Sequence, residues 1–218
     1  MAMIYTTLSD FFAGAATLLT NAREQSEIAA ALVAYGYDAS TIQAGQTLLD
    51  TARNLHDAQI REYGEQHAAT QTFKEACQQA DKAYAAHRRL AKIAFKNDAQ
   101  RKTDLYLNDR KPQVYSPWYE QARHFYIALI ADTAAQSQLA RYKITLENLQ
   151  AAQAGVKQTH TLKSAQEREK GEAQDATQQR DTAIKALDEW LSDFKVVARI
   201  ALQDTPQLLE ALDIGTIP

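Results

Sequence analysis

A chain of 218 residues with a net charge of −3 is long enough for one large domain or two of about 100 residues, and its charge argues against a generally nucleic-acid-binding surface. Seven glycines and four prolines are few, and the abundant alanine, glutamine, leucine and charged residues are the composition of long helices. The single cysteine, Cys77, excludes an internal disulfide, and no stretch approaches the roughly 18 uncharged apolar residues of a membrane span, so the cytoplasm is the expected compartment.

Ser9 and Asp10 are candidate N-caps of a first helix reaching about Val33. Phe11, Phe12, Ala15, Leu18, Leu19, Ala22, Ile28 and Leu32 recur at helical spacing, which predicts one buried face. The apolar run from Phe11 to Leu19 has no basic segment before it and follows Asp10, so no signal peptide is expected. Tyr35-Gly36-Tyr37 ends this helix, because Gly36 enters the left-handed region without steric cost. Asp38 or Ser40 then caps the next.

From Ala39 to about Lys96 there is no proline and no cluster of turn residues. Gly45 is read as an ordinary helix position. Gly64 stands between Arg61-Glu62-Tyr63 and Glu65-Gln66-His67, all compatible with a helix and none able to cap a restart. One interior glycine costs only about 1 kcal/mol. A single helix of about 58 residues, close to 85 Å long, is therefore favoured over two helices joined at Gly64. A seven-residue register agrees: Leu49, His56, Tyr63, Thr70, Cys77, Tyr84 and Ala91 share one position, and Ala52, Gln59, Gln66, Phe73, Ala80, His87 and Ala94 its companion.

Asn97 to Tyr115 is the longest irregular candidate, and Ser116-Pro117 opens the following helix with Trp118, Ala122, Phe125 and Leu129 as its buried stripe. Tyr142 to Thr145 replaces the Tyr35 turn. A second long helix runs from about Leu146 to Leu202, and Thr205-Pro206 starts a short one, Gln207 to Leu212, whose Leu208 and Leu209 dock on the bundle.

The chain matches itself when Tyr35 is laid on Tyr142: Tyr35–Asp98 against Tyr142–Thr205 gives 19 identities in 64 gapless positions. This reads as an internal duplication, with residues 1–107 the first helical repeat and 108–218 the second, the two intertwined in one bundle. The expected fold is all-α: an elongated helical bundle with two long antiparallel helices and shorter covering helices. In that arrangement Gly64 and Gly171 meet and let two backbones approach closely.

Chemistry is sparse. No glutamate has a histidine three residues on, so the di-iron signature of helical bundles is missing, and Glu120 with His124 reads as a polar contact. No catalytic, cofactor-binding or metal-binding residue is expected. Cys77 reads as a packed thiol. Gln59, Glu65, Thr70, Gln166, Glu172 and Thr177 form a polar centre, either a register-fixing network, which is favoured, or a small-ligand pocket. Arg88, Arg89, Lys92 and Lys96, with Arg101, Lys102, Arg110 and Lys111, make a local basic cluster that could take an anionic partner, although nucleic acid is not expected.

With its duplicated unit ending in Pro206-Gln-Leu-Leu-Glu210, the chain resembles a bacterial family of duplicated helical-bundle proteins. That resemblance implies an all-α fold and brings no activity with it. The repeat period also resembles that of spectrin-type three-helix repeats, in length alone. The expected function is a non-enzymatic helical scaffold that binds a protein partner. Binding of nucleic acid or another anionic partner at residues 88–111 and small-ligand binding at the polar centre are the alternatives.

Overall fold

A computed structural model describes residues 7–214. Residues 1–6, where a leader would have its basic segment, lie outside the described residues. The described residues form eight helices and no strand: α1 (Leu8–Glu24), α2 (Ser26–Val33), α3 (Ala39–Ala94), α4 (Ala99–Asp104), α5 (Tyr115–Ala131), α6 (Thr133–Ala140), α7 (Leu146–Ala201) and α8 (Pro206–Ala211). The fold is all-α, and none of these helices is long and apolar enough to cross a membrane. In the alignment that lays Tyr35 on Tyr142, α5 to α8 begin and end at the positions equivalent to the ends of α1 to α4, as Leu8 and Tyr115, or Ala94 and Ala201, illustrate.

Three local expectations need correction. The first helix does not run to Val33: it breaks at Gln25, which is extended (φ −86°, ψ 107°), and its N-cap is Thr7, whose side chain accepts from the Asp10 amide. The break escapes a reading of periodicity because Ile28 and Leu32 stay buried on the far side of it. The helix after the loop starts at Tyr115, one residue before Ser116, with Val114 as a cap that contributes no side-chain bond. The Asn97–Tyr115 segment holds α4, capped by Asp98, whose carboxylate accepts from the Arg101 amide.

The chain divides into two compact units, Met1–Tyr63 with Glu172–Pro218, and Gly64–Gly171, so each draws on both halves of the sequence. In the first unit the opening part of α3 and the closing part of α7 run antiparallel. Gly45 lies against Trp190, and further along Gln59 accepts a hydrogen bond from Arg180 at 3.2 Å. Its core joins Phe11, Leu18 and Leu32 to Leu49, Leu191 and Leu202.

In the second unit the remaining parts of α3 and α7 are also antiparallel, with Gln166 donating to Thr70 at 3.2 Å. Its core contains Trp118, Phe125, Leu139, Val156, Tyr84 and Phe95. In the self-alignment these are the equivalents, in the same order, of the core residues just named for the first unit. Both units therefore bury the same helix positions, with different side chains at all of these pairs except Leu32 and Leu139.

The turn after α2 has the same geometry in both halves although only one of them carries a glycine. Gly36 has φ +84° and its equivalent, Lys143, has φ +61°; the following amides return to Leu32 and Leu139 respectively.

The long helix α3 is unbroken at Gly64, and α7 at Gly171. Close backbone approach is not the reason for either glycine, because a Cβ added at Gly64 or Gly171 would meet no atom within 4 Å. Gly64→Ala and Gly171→Ala are therefore each expected to raise stability by about 0.5–1 kcal/mol in equilibrium urea unfolding, since only the helix-propensity penalty of glycine is removed. The seven-residue seam is also less continuous than its pattern: Leu49, Ala52, Ala80, Tyr84 and Ala91 are buried, but Tyr63 is 54% exposed.

In the second unit Tyr84 is fully buried, donates its hydroxyl to Gln121 at 2.9 Å, and meets Phe125 edge-on. Burial pushes the Tyr84 phenol up to about 12 and that of Tyr126 higher still. An unfolded phenol ionises from about pH 10, whereas the folded Tyr84 does not until about pH 12. Its contribution is thus complete below pH 10 and falls as the pH rises from there. Tyr84 alone is expected to cost about 1 kcal/mol by pH 11. Urea unfolding at pH 9, 10 and 11 reads that slope, which Tyr84→Phe makes shallower.

Candidate functional site

One recess in the second unit is a cleft of about 370 Å³ between α3, the loop after α4 and the start of α5. Phe73, Lys74, Cys77, Gln78 and Asp81 come from α3, Lys111, Pro112 and Gln113 from the loop, and Tyr115 and Trp118 from α5. Helical spacing puts residues 74, 77, 78 and 81 on one face of α3. Asp81 ties the three elements together: its carboxylate accepts from Lys111 Nζ at 2.5 and 2.6 Å and from the Trp118 indole N–H at 2.8 Å. Phe73 meets Tyr115 edge-on at 5.1 Å, and the Tyr115 hydroxyl is 3.2 Å from that of Thr159.

Electrostatically the cleft is settled. Asp81 is neutralised by Lys111, and burial pushes the Cys77 thiol up, with Lys163 opposing that shift only in part. A thiol held protonated is a weak nucleophile. The walls are aromatic and the rim, at Lys74, Gln78 and Gln113, is polar. Such a recess suits recognition better than chemistry.

The first unit repeats the cleft's position with other residues. Thr7, Leu8, Phe11, Asp181, Ile184, Lys185 and Asp188 line a recess of about 580 Å³. Phe11 stands where Trp118 does and has no N–H to give Asp188, and Leu8 and Ile184 replace Tyr115 and Cys77. Asp81 and Asp188 are an identity between the two aligned halves, a signal in the sequence that points to this position. The partnership of Asp81 with Lys111 and Trp118 has no such signal, because it depends on how the loop folds back.

The six polar-centre residues are shared between the units. Gln59, Glu172 and Thr177 belong to the first, and Glu65, Thr70 and Gln166 to the second. Arg180 donates to Gln59, Gln166 to Thr70, and Thr177 to the backbone of Ala173, while Glu65 and Glu172 are exposed. Within each unit these bonds link or brace the long helices.

The basic cluster separates into structural and exposed cations. Arg88, only 8% exposed, donates to the carbonyls of Tyr106 and Asp109 and pins the loop after α4. Arg101 pairs with Asp98 and Asp132, lowering the Asp132 pKa through its hydrogen bond, and Lys111 is held by Asp81. Arg89 and Lys92 are exposed three residues apart near the end of α3, and Lys96 is exposed in the turn that follows it. His124 donates to the carbonyl of Asp104 and Glu120 pairs with Arg123, so this pair makes structural contacts.

No family model, curated protein or solved structure matches the chain.

Proposed function

We propose that the chain is a non-enzymatic helical scaffold that binds a protein partner, and that the cleft of the second unit is where the partner docks. The carrying observation is the Asp81–Lys111–Trp118 network, which fixes an aromatic-walled recess while Asp81 and Lys111 satisfy each other. An interaction site benefits from such pre-organisation because little ordering remains to be done on binding. The matched helix bounds support descent of the halves from one copied unit, and the lone thiol of Cys77 is compatible with a reducing cytoplasm.

The test is site-specific photocrosslinking from Gln113, at the rim, in the native host cell. One dominant protein adduct is expected, lost on Phe73→Ala and retained on Gln43→Ala, an exposed position of the first unit. Failure to obtain such an adduct, or one indifferent to Phe73, would refute the assignment. A second reading, an anionic partner at Arg89, Lys92 and Lys96, is favoured by the exposure of all three cations around the end of α3. It predicts binding that weakens steeply with salt and is lost on replacing these three by alanine.

A further inference from the structure

The units differ most sharply where one fills a space that the other leaves open. In the first, Trp190 lies over Gly45, so close that a Cβ on Gly45 would come within 2.5 Å of its ring. The indole stacks on Phe194, with centroids 5.4 Å apart and planes at 10°, and Tyr37 meets both rings edge-on. The equivalent positions of the second unit carry Ala83 for Trp190, His87 for Phe194, Ala152 for Gly45 and Ile144 for Tyr37. The bulk of the indole is gone, and a groove of about 580 Å³, lined by Ala83, His87 and Ala152 among others, takes its place.

Three properties of the groove say what would fit. Its floor is made of small side chains, and the Ala152 methyl seats a ring slightly further out than Trp190 sits. His87 occupies the stacking position, held by its hydrogen bond with the Tyr126 hydroxyl at 3.1 Å, and burial lowers its pKa so that the ring is neutral at pH 7. Among the described residues, Lys143 is the only charged side chain lining the groove. We propose that this groove binds a small planar aromatic carboxylate, its ring stacked on His87 in place of the missing indole and its carboxylate at Lys143. The volume is in the ordinary range for small-ligand sites, roughly 300–1,000 Å³.

The experiment is an amide NMR titration of the full chain with indole-3-acetate, with neutral indole and acetate in parallel. Indole-3-acetate is expected to give saturable shifts at Ala83, Ala152 and Gly155, indole to bind more weakly at the same amides, and acetate to leave them unmoved. Lys143→Ala should weaken indole-3-acetate up to about 5-fold and leave indole unchanged, as for a partly exposed ion pair. Ala83→Trp, which refills the groove, should weaken both at least about 10-fold. Should that single variant unfold, Ala83→Trp with Ala152→Gly restores the pairing found in the first unit and is read instead. Absence of saturable shifts at these amides, shifts centred on the Trp118 cleft, or binding unaffected by refilling would overturn the proposal.

Discussion

Replacing Arg88 with alanine is expected to cost about 3 kcal/mol of stability, the largest effect of any single substitution proposed. The guanidinium is buried and donates to two loop carbonyls, those of Tyr106 at 2.7 Å and Asp109 at 2.5 Å. Charged donors of this kind contribute about 1.5–3 kcal/mol, and the carbonyls left behind would have to find water in a packed corner. Tyr106 makes the corner sensitive because it holds a left-handed conformation, φ +50°, that no glycine relieves. Urea unfolding followed by far-ultraviolet circular dichroism measures the loss. Arg88→Lys, with one ammonium for two acceptors, should recover less than half of it. A cost under about 1 kcal/mol would show that water satisfies the loop in the variant.

The second large effect is expected at Gly45. Adding one methyl there pushes against the Trp190 ring, which is itself stacked on Phe194, so overpacking of about 1–3 kcal/mol outweighs the gain of about 1 kcal/mol in helix propensity. Gly45→Ala should thus be destabilising where Gly64→Ala is stabilising, the same substitution in the same helix with opposite sign. Trp190→Ala removes the obstacle, and the double variant reproduces the Ala152 and Ala83 pairing of the second unit. In a double-mutant cycle it should lose at least about 1 kcal/mol less than the sum of the two single variants. An additive result would mean that Trp190 swings aside freely.

The long helix α3 was legible because its apolar residues keep a seven-residue register over a long distance: Leu49, Ala52, Ala80, Tyr84 and Ala91 are all buried in that register. The break at Gln25 was not, because a helix that bends and resumes in phase leaves no mark on its spacing. Gly45 looked ordinary because what constrains it is Trp190, distant in sequence. The cleft was half legible: Trp118 belonged to a predicted stripe, but Asp81 gains meaning only when the loop brings Lys111 to it. The basic cluster shows the opposite failure. Its sequence suggests one surface, whereas the fold assigns Arg88, Arg101 and Lys111 to structural bonds and leaves Arg89, Lys92 and Lys96 outside.

The division of the chain fixes an order of events during synthesis. Everything the Gly64–Gly171 core requires is consecutive, so it can close as soon as that segment clears the ribosome. Phe11, Leu18 and Leu32 emerge earlier yet must wait for partners at the far end of the sequence, from Leu191 and Leu202 to Leu209, Leu212 and Ile214. For that interval the apolar faces around Phe11, Leu18 and Leu32 lack their core partners, which makes this the segment where a holding chaperone would have most to do.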